Sequence, residues 1–391
     1  MNILTITWTG AEYNTFSYFT HCIRTSLAPY GVRCVDVKLG ENFGPELAEI
    51  TSKNRIDFAI TFQGIGSNLQ TQNNKNLWEE LGIKLICLHG DHPCHAPANH
   101  VADSSHIFHL YAAPNWAVYS EKHFNRQHPV QYFIAPNFLN IHQPLSAIES
   151  DEFFVFPKNL DDTSQMQEDW KNKFPPLFSE FLIEALHAIA DNYHAGDTLE
   201  HHEVIEQLLT PSKFAELAHA FRPASEPAFF HYIHSLLDKV YRNVVSESVV
   251  AALQDVPMVI YGRGWERHQR KTSRFHTFKT IENLADIDFQ YRSQYGIIDV
   301  SPTRECLHDR TMRAMASGCG FLSSCQFDFT SVLGRNEPDL FYSSRKDDLR
   351  EKVEKVMTDP DAHRTRSAQW GRAFELQFSM FQFYRFLSLL R

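Results

Sequence analysis

Three arginines, a histidine and a glutamate crowd one stretch of the chain: Arg304, Glu305, His308, Arg310 and Arg313, within YGIIDVSPTRECLHDRTMRAMASGCGF (295–321). The mostly apolar run Gly296–Val300 reads as a buried strand that breaks at Ser301-Pro302. His308-Asp309 then opens a helix that stops at Ser317-Gly318, where glycine suits the left-handed position after a helix end. The first turn of a helix leaves backbone N–H groups unpaired and carries the positive end of the helix dipole. So much nitrogen at a helix start, at the carboxyl end of a strand, predicts a phosphate site. Without a ligand, Arg310 and Glu305 would be an ion pair flanking an ordinary helix.

Other candidates also sit where strands would end. After Lys84–Leu88 comes His89-Gly90-Asp91-His92-Pro93, and after Asn2–Thr7 comes Trp8-Thr9-Gly10-Ala11-Glu12. Asp, Glu or His in such a place can take a proton from a hydroxyl. Asp91 could equally cap a turn before Pro93, and His92 could be a surface loop residue. Gly262 and Gly264 bracket Arg263 at another strand end, either to let backbone approach a ligand or to make a tight turn. His89, His92, His95, His100, His106 and His109 cluster in sequence but straddle two strands and a loop, so they read as structural or surface residues and no metal site is expected. His201-His202, among acidic residues, reads as a solvated helix face. The chain has no G-x-x-x-x-G-K-[ST] and no G-x-G-x-x-G opening its first helix, which disfavours a Walker-type ATPase and an NAD enzyme.

These residues need a scaffold, and the chain is long enough to supply one. Its 391 residues, 43% hydrophobic and 21% charged, suit two or three packed domains. A net charge of −10 disfavours non-specific attraction to nucleic acid or anionic membrane, leaving local basic sites such as Arg304, Arg310 and Arg313. Seven scattered cysteines make no disulfide framework, and a reducing cytoplasm is the expected location. MNILTITWTG reads as a strand rather than a signal peptide, and no apolar run approaches a membrane span. The closing FSMFQFYRFLSLLR reads as a docked terminal helix.

Strand-like runs at 2–7, 33–38, 56–62, 84–88, 106–111 and 131–135 alternate with helical or loop material, including a helix at Thr15–Leu27. That pattern predicts a parallel sheet covered on both faces, in a Rossmann-like domain spanning 1–145. A second domain, 150–375, opens with EFFVF (152–156) and takes a helical insertion at 179–253. Its strands are expected at 257–261, 296–300, 320–323 and 340–342, with a charged helix at 346–357, and 376–391 forms the C-terminal helix. The fold class is α/β: two Rossmann-like domains facing a cleft that suits a two-substrate reaction.

Three features of the second half resemble the C-terminal domain of GT-B glycosyltransferases, most closely the CgeB-like group and the related "glycosyl transferases group 1" domains. They are Tyr261-Gly262-Arg263-Gly264-Trp265, similar to a strand ending in "YGxGW"; HDRTMRAMASGCGFLSS (His308–Ser324), similar to "HxRxFEAxAxGGFLL"; and Asp348–Arg364, similar to a closing "eLxexvexlLxDPexr" helix. The resemblance covers roughly residues 255–375. It implies a nucleotide-sugar donor held by the second domain, with no further cofactor and no metal. Arg310 would stabilise charge on the leaving phosphate, with His308, Arg304, Thr303, Gly262, Arg263 and Gly264 around the donor and Glu305 on its ribose. The acceptor, a hydroxyl of a glycan, lipid-linked sugar or protein, would meet Asp91, His92 or Glu12 as base. Where many retaining relatives carry a glutamate in "EAMA", this chain has Arg313, so Glu305 lacks its E-x7-E partner and the stereochemical outcome does not carry over. A GT-B-shaped binder without catalysis and a sugar-nucleotide epimerase are the alternatives. The helical insertion is the expected place for acceptor recognition or for contacts between copies.

Overall fold

Among the described residues, eleven strands form two sheets in which every pairing is parallel. The computed structural model describes all residues except 9–13, 125, 130, 133–147, 149–152, 196–199, 211, 219–226, 267–274, 282–283, 293, 302, 304, 336 and 344. The first sheet contains β1 (Asn2–Thr7), β2 (Arg33–Lys38), β3 (Phe58–Phe62), β4 (Lys84–His89), β5 (Ile107–Tyr111) and β6 (Gln131–Tyr132), in the order β2-β1-β3-β4-β5-β6. The second contains β7 (Phe154–Pro157), β8 (Met258–Tyr261), β9 (His276–Lys279), β10 (Gly296–Asp299) and β11 (Gly320–Ser323), in the order β11-β10-β7-β8-β9. The expected pair of Rossmann-like units facing a cleft is present.

The strands read as apolar runs because both faces of each sheet are covered, and alternate residues serve opposite cores. Ile3, Phe58, Ile60, Ile86 and Leu88 enter one core of the first sheet, while Leu4, Ala59, Leu85 and Cys87 enter the other. The second sheet divides likewise, Phe154, Phe156, Met258 and Ile260 on one side and Val155, Val259 and Ile297 on the other.

Helices Thr163–Lys173, Pro176–Ala195, His201–Leu209 and Pro227–Ala252 fill the connection from β7 to β8, beginning earlier than the expected insertion. Asp162 starts the first of them by accepting the Gln165 N–H at 2.9 Å, an N-cap that the spacing did not reveal. Phe178, Phe181, Leu182, Leu186 and Leu237 of these helices cover the Phe154/Phe156 face of the second sheet. The strand expected at 340–342 is instead a 3-10 turn, Pro338–Leu340, followed by a single bridge from Phe341 to Ser323, because Pro338 opens a turn rather than a ladder. Strand β9, HTFK, went unrecognised because its half-polar edge pattern lacks the apolar signal of its neighbours.

Helix Pro360–Phe378 packs Trp370 and Phe374 beneath the second sheet. The chain then returns to the first sheet, where Met380, Phe383 and Leu387 of helix Met380–Leu390 bury against Ile3, Ile23 and Leu27. Tyr384 stacks on Tyr30 with centroids 5.2 Å apart, and Arg391 Nε lies 3.1 Å from the Asp57 carboxylate. No described helix is long and apolar enough to cross a membrane. All seven cysteines are unpaired.

Candidate active site

The carboxyl ends of both sets of strands open onto one cavity of about 400 Å³. The first sheet contributes Phe62, Gln63, Leu88, His89, Gly90 and Asp91, and helix Thr15–Leu27 adds Phe16 and Phe19. From the second sheet come Pro157, Lys158, Asn159 and Tyr261, with His308, Asp309, Arg310 and Arg313 beyond β10. This is the crevice where ligands bind in open α/β sheets.

Helix Asp309–Ala316 starts where His308 Nδ1 accepts the Arg310 N–H at 3.3 Å, and Gly318 follows its end at φ 73°. Arg310 is fixed from behind. Its Nε donates to Asp299 Oδ1 at 2.8 Å, Nη1 to the Pro157 carbonyl at 3.3 Å and Nη2 to the Val300 carbonyl at 3.1 Å. The partner is thus Asp299 at the end of β10, which has no exposed surface, rather than Glu305. Burial pushes the Asp299 carboxyl up, but the charges of Arg310, His308 and Lys158 outweigh it and hold the group below the ordinary aspartate value. A guanidinium carries five N–H donors, so this anchoring leaves others on a side chain that lines the cavity.

Lys158 joins Arg310 on the cavity wall, and the sequence reading overlooked it. Its burial, and then the charges of Arg310 and Arg242, push its pKa well below the ordinary lysine value. A polyanion placed between Lys158 and Arg310 would relieve that repulsion. The signal was available: Lys158 follows β7 directly, at a strand carboxyl end like the other candidates.

Two of the other donor-side candidates are committed to other partners. Arg313 is 1% exposed and serves the interior, its Nε 2.7 Å from Asp288, Nη1 3.3 Å from Asp309 and Nη2 on the Leu284 carbonyl at 2.8 Å. Its guanidinium stacks over Tyr18 and Tyr291, and the Tyr18 hydroxyl donates to Asp288, joining the first half of the chain to the second. Glu305, expected at a ribose, turns away from the cavity, and its Oε2 accepts the Asn115 N–H at 3.2 Å in the first turn of helix Pro114–His123. A helix N-terminus competes for that carboxylate as a diol would. Thr303 Oγ1 is buried with no hydrogen-bond partner among the described residues, while Arg304 lies outside them.

Gly262 and Gly264 adopt φ 155° and 86°, and a Cβ would lie 2.1 Å from the Lys158 carbonyl oxygen at the first and 1.6 Å from that of Leu160 at the second. Their observed task is to let the turn after β8 lie on the turn after β7. Arg263 holds the same contact through its backbone, receiving the Leu160 N–H at 2.8 Å and donating to Asn159 Oδ1 at 3.0 Å, and its exposed side chain is not in the cavity lining.

On the acceptor side, Asp91 is exposed in the cavity and accepts from Gln63 Nε2 at 2.6 Å. Gln63 is held at φ 53°, a left-handed conformation that a non-glycine residue adopts only when its surroundings impose it. His92 is not in the cavity lining. It caps the 3-10 turn Pro93–His95, its Nδ1 accepting the Cys94 N–H at 3.2 Å, and its ring lies 4.5 Å from those of Tyr119 and His234. The histidine on the first-sheet side of the cavity wall is His89. His109 Nε2 donates to the Ala102 carbonyl at 2.9 Å, so its Nδ1 accepts from His89 Nε2 at 2.8 Å. That leaves His89 Nδ1 as an unpartnered lone pair. Burial, then the His100 and His109 charges, push the His89 pKa well down and keep the ring neutral. Glu12 lies outside the described residues.

The histidines are more buried than the sequence implied: His89, His92, His100 and His109 are all interior. His201, expected on a solvated face, is buried with its Nδ1 3.5 Å from Asp238.

No family model matches the chain, and no curated protein matches it by sequence. Solved structures do. Sucrose-phosphate synthase from Thermosynechococcus elongatus superposes with a TM-score of 0.54 at 11% identity, covering 100% of both chains. Anabaena HepE, in complex with UDP and glucose, gives 0.53 at 11% identity, covering 100% of this chain and 99% of that one. An α-glucosyltransferase in complex with UDP and a 13-mer DNA gives 0.51 at 10% identity, covering 99% of each. Two parallel α/β sheets facing a cleft, matched along the whole chain, give this protein the fold of the GT-B glycosyltransferases.

Proposed function

We propose that the protein transfers a sugar from a nucleotide-sugar donor to a hydroxyl acceptor, and that within its fold it stands with the CgeB-like group that its second-half motifs resemble. The observation that carries this reading is the convergence of Lys158, Arg310 and the start of helix Asp309–Ala316 on one cavity at the strand ends. Fixed cations there stabilise a leaving phosphate without reorganising during the reaction. The UDP bound by HepE and by the α-glucosyltransferase makes UDP-glucose the first donor to try. Asp91, steadied by Gln63, is the proposed base facing the acceptor, with the neutral His89 beside it. The net charge of −10 favours a glycan, lipid-linked or protein acceptor over DNA.

Calorimetric titration of UDP and UDP-glucose into wild type and Lys158→Met tests the donor site. Loss of one charge-assisted hydrogen bond, about 1.5–3 kcal/mol, should weaken UDP about 10–150-fold. The same substitution should raise the melting temperature of the ligand-free protein, because it removes a cation held against Arg310. Equal UDP affinity in both proteins would end the proposal. UDP binding without hydrolysis or transfer to any acceptor would favour the binder instead.

A further inference from the structure

The donor site leaves one buried cluster unused. The turn after β4 and the long helix Pro227–Ala252 bring together His92, Cys94 and His234, all interior. One ring nitrogen of each histidine and the Cys94 Sγ lie within 4.8 Å of one another. We infer that these three side chains bind a single divalent transition-metal ion, zinc by preference, which fastens the helical insertion to the first sheet.

The donor set has the chemistry for it. Imidazole and thiolate are the ligands of zinc, at about 2.0–2.1 Å for nitrogen and 2.3 Å for sulfur, so a tetrahedral ion would draw together a triangle of donor atoms that already lie within 4.8 Å of one another. His92 Nδ1 accepts the Cys94 N–H at 3.2 Å, so the neutral ring carries its proton on Nε2 and Nδ1 is the lone pair open to an ion, which would displace that long contact. His234 Nδ1 is buried without a hydrogen-bond partner, an arrangement that costs about 1–3 kcal/mol unless something occupies it. Burial and neighbouring charges keep both imidazoles neutral, the form that ligates. Binding releases the Cys94 thiol proton to solvent as the S–metal bond forms. The charge that remains faces Asp238, a 2% exposed carboxylate one turn beyond His234 that also pairs with Arg242 at 2.6 Å.

A second group, Cys87, His89 and His109, has similar spacing. Its ring nitrogens already satisfy one another, with His89 Nε2 on His109 Nδ1 at 2.8 Å and His109 Nε2 on the Ala102 carbonyl. A proton occupies the place that an ion would need. In the His92 group the corresponding bond is the longer one from the Cys94 backbone N–H to His92 Nδ1, and among the described residues no side chain of the three donates to another.

Full-length protein stripped with EDTA and reloaded with zinc or cobalt tests the inference. Expected are one zinc per chain by mass spectrometry after excess is removed, a rise in melting temperature, and a thiolate-to-cobalt charge-transfer band. Cys94→Ser should abolish the band, and His234→Ala should weaken zinc more than about 100-fold, while Cys87→Ser changes neither. Circular dichroism of each stripped variant confirms that it is folded, and Cys94→Ala serves if the serine variant is not. Sub-stoichiometric zinc in wild type, a band that survives in Cys94→Ser, or a band lost in Cys87→Ser would each overturn the site. UDP binding is read separately, so failure here leaves the donor reading untouched.

Discussion

Replacing Arg310 with alanine should destabilise the protein by about 3–5 kcal/mol at neutral pH, the cost of leaving a buried charge without its partner. Asp299 has no exposed surface, and once the 2.8 Å contact to Arg310 is gone its remaining side-chain donor is the neutral Thr311 Oγ1 at 3.0 Å. The Pro157 and Val300 carbonyls lose donors as well. The loss should depend on pH. In wild type the Asp299 pKa is depressed, so its stabilising contribution is present above the unfolded value near 3.9 and fades as pH falls through the folded one. Without Arg310 the largest charge opposing burial is gone, so the folded pKa moves up, with His308 and Lys158 left to oppose it. The penalty is then largest at neutral pH and shrinks as the carboxyl takes up a proton. Urea unfolding followed by tryptophan fluorescence at pH 7 and pH 5, for wild type, Arg310→Ala, Asp299→Ala and the double variant, reads both effects. The double variant should lose about 1–3 kcal/mol less than the two singles added. A deficit that does not change with pH, or singles that simply add, would refute the argument.

Gly264→Ala should cost about 2–5 kcal/mol in the ligand-free protein, from a strained φ of 86° and a Cβ placed 1.6 Å from the Leu160 oxygen. An unchanged melting temperature would return that glycine to a purely ligand-facing role. Burial depresses His89, His100 and His109, the last to about 3, so each contributes stability above pH 6.5 that is lost as pH falls toward its folded value. Between pH 7 and 5.5 that is roughly 1 kcal/mol per ring, and His109→Gln should flatten the acid limb of a denaturation profile. Phe383→Ala should lose about 3–5 kcal/mol, seen in urea unfolding, because the ring is fully buried under the first sheet.

The scaffold was legible where strands are covered on both faces. Asn2–Thr7, Arg33–Lys38 and Gly320–Ser323 were bounded correctly from sequence because their ends coincide with polar or turn residues. The edge strand His276–Lys279 lacked that contrast. Side-chain destinations were harder to read. Local spacing put Arg313 and Glu305 beside Arg310, yet each is drawn off by a partner remote in sequence, Asp288 for one and Asn115 for the other. His89 and His92 both follow the buried run Lys84–Leu88, and spacing does not say which of them faces the cavity. Pro93 carries the chain inward, and the last residue of β4 faces the cavity. Such outcomes depend on which helix packs over which strand end, and periodicity does not encode that.

The return of helix Met380–Leu390 to the first sheet has a consequence during synthesis. That sheet's last strand ends at Tyr132, while the residues that cover Ile3, Ile23 and Leu27 begin at Met380. At about 5–20 residues per second, a ribosome leaves this apolar surface open for on the order of tens of seconds. The early half of the protein therefore passes through a long stage as an unfinished body, and that window is where chaperones or aggregation would compete for it.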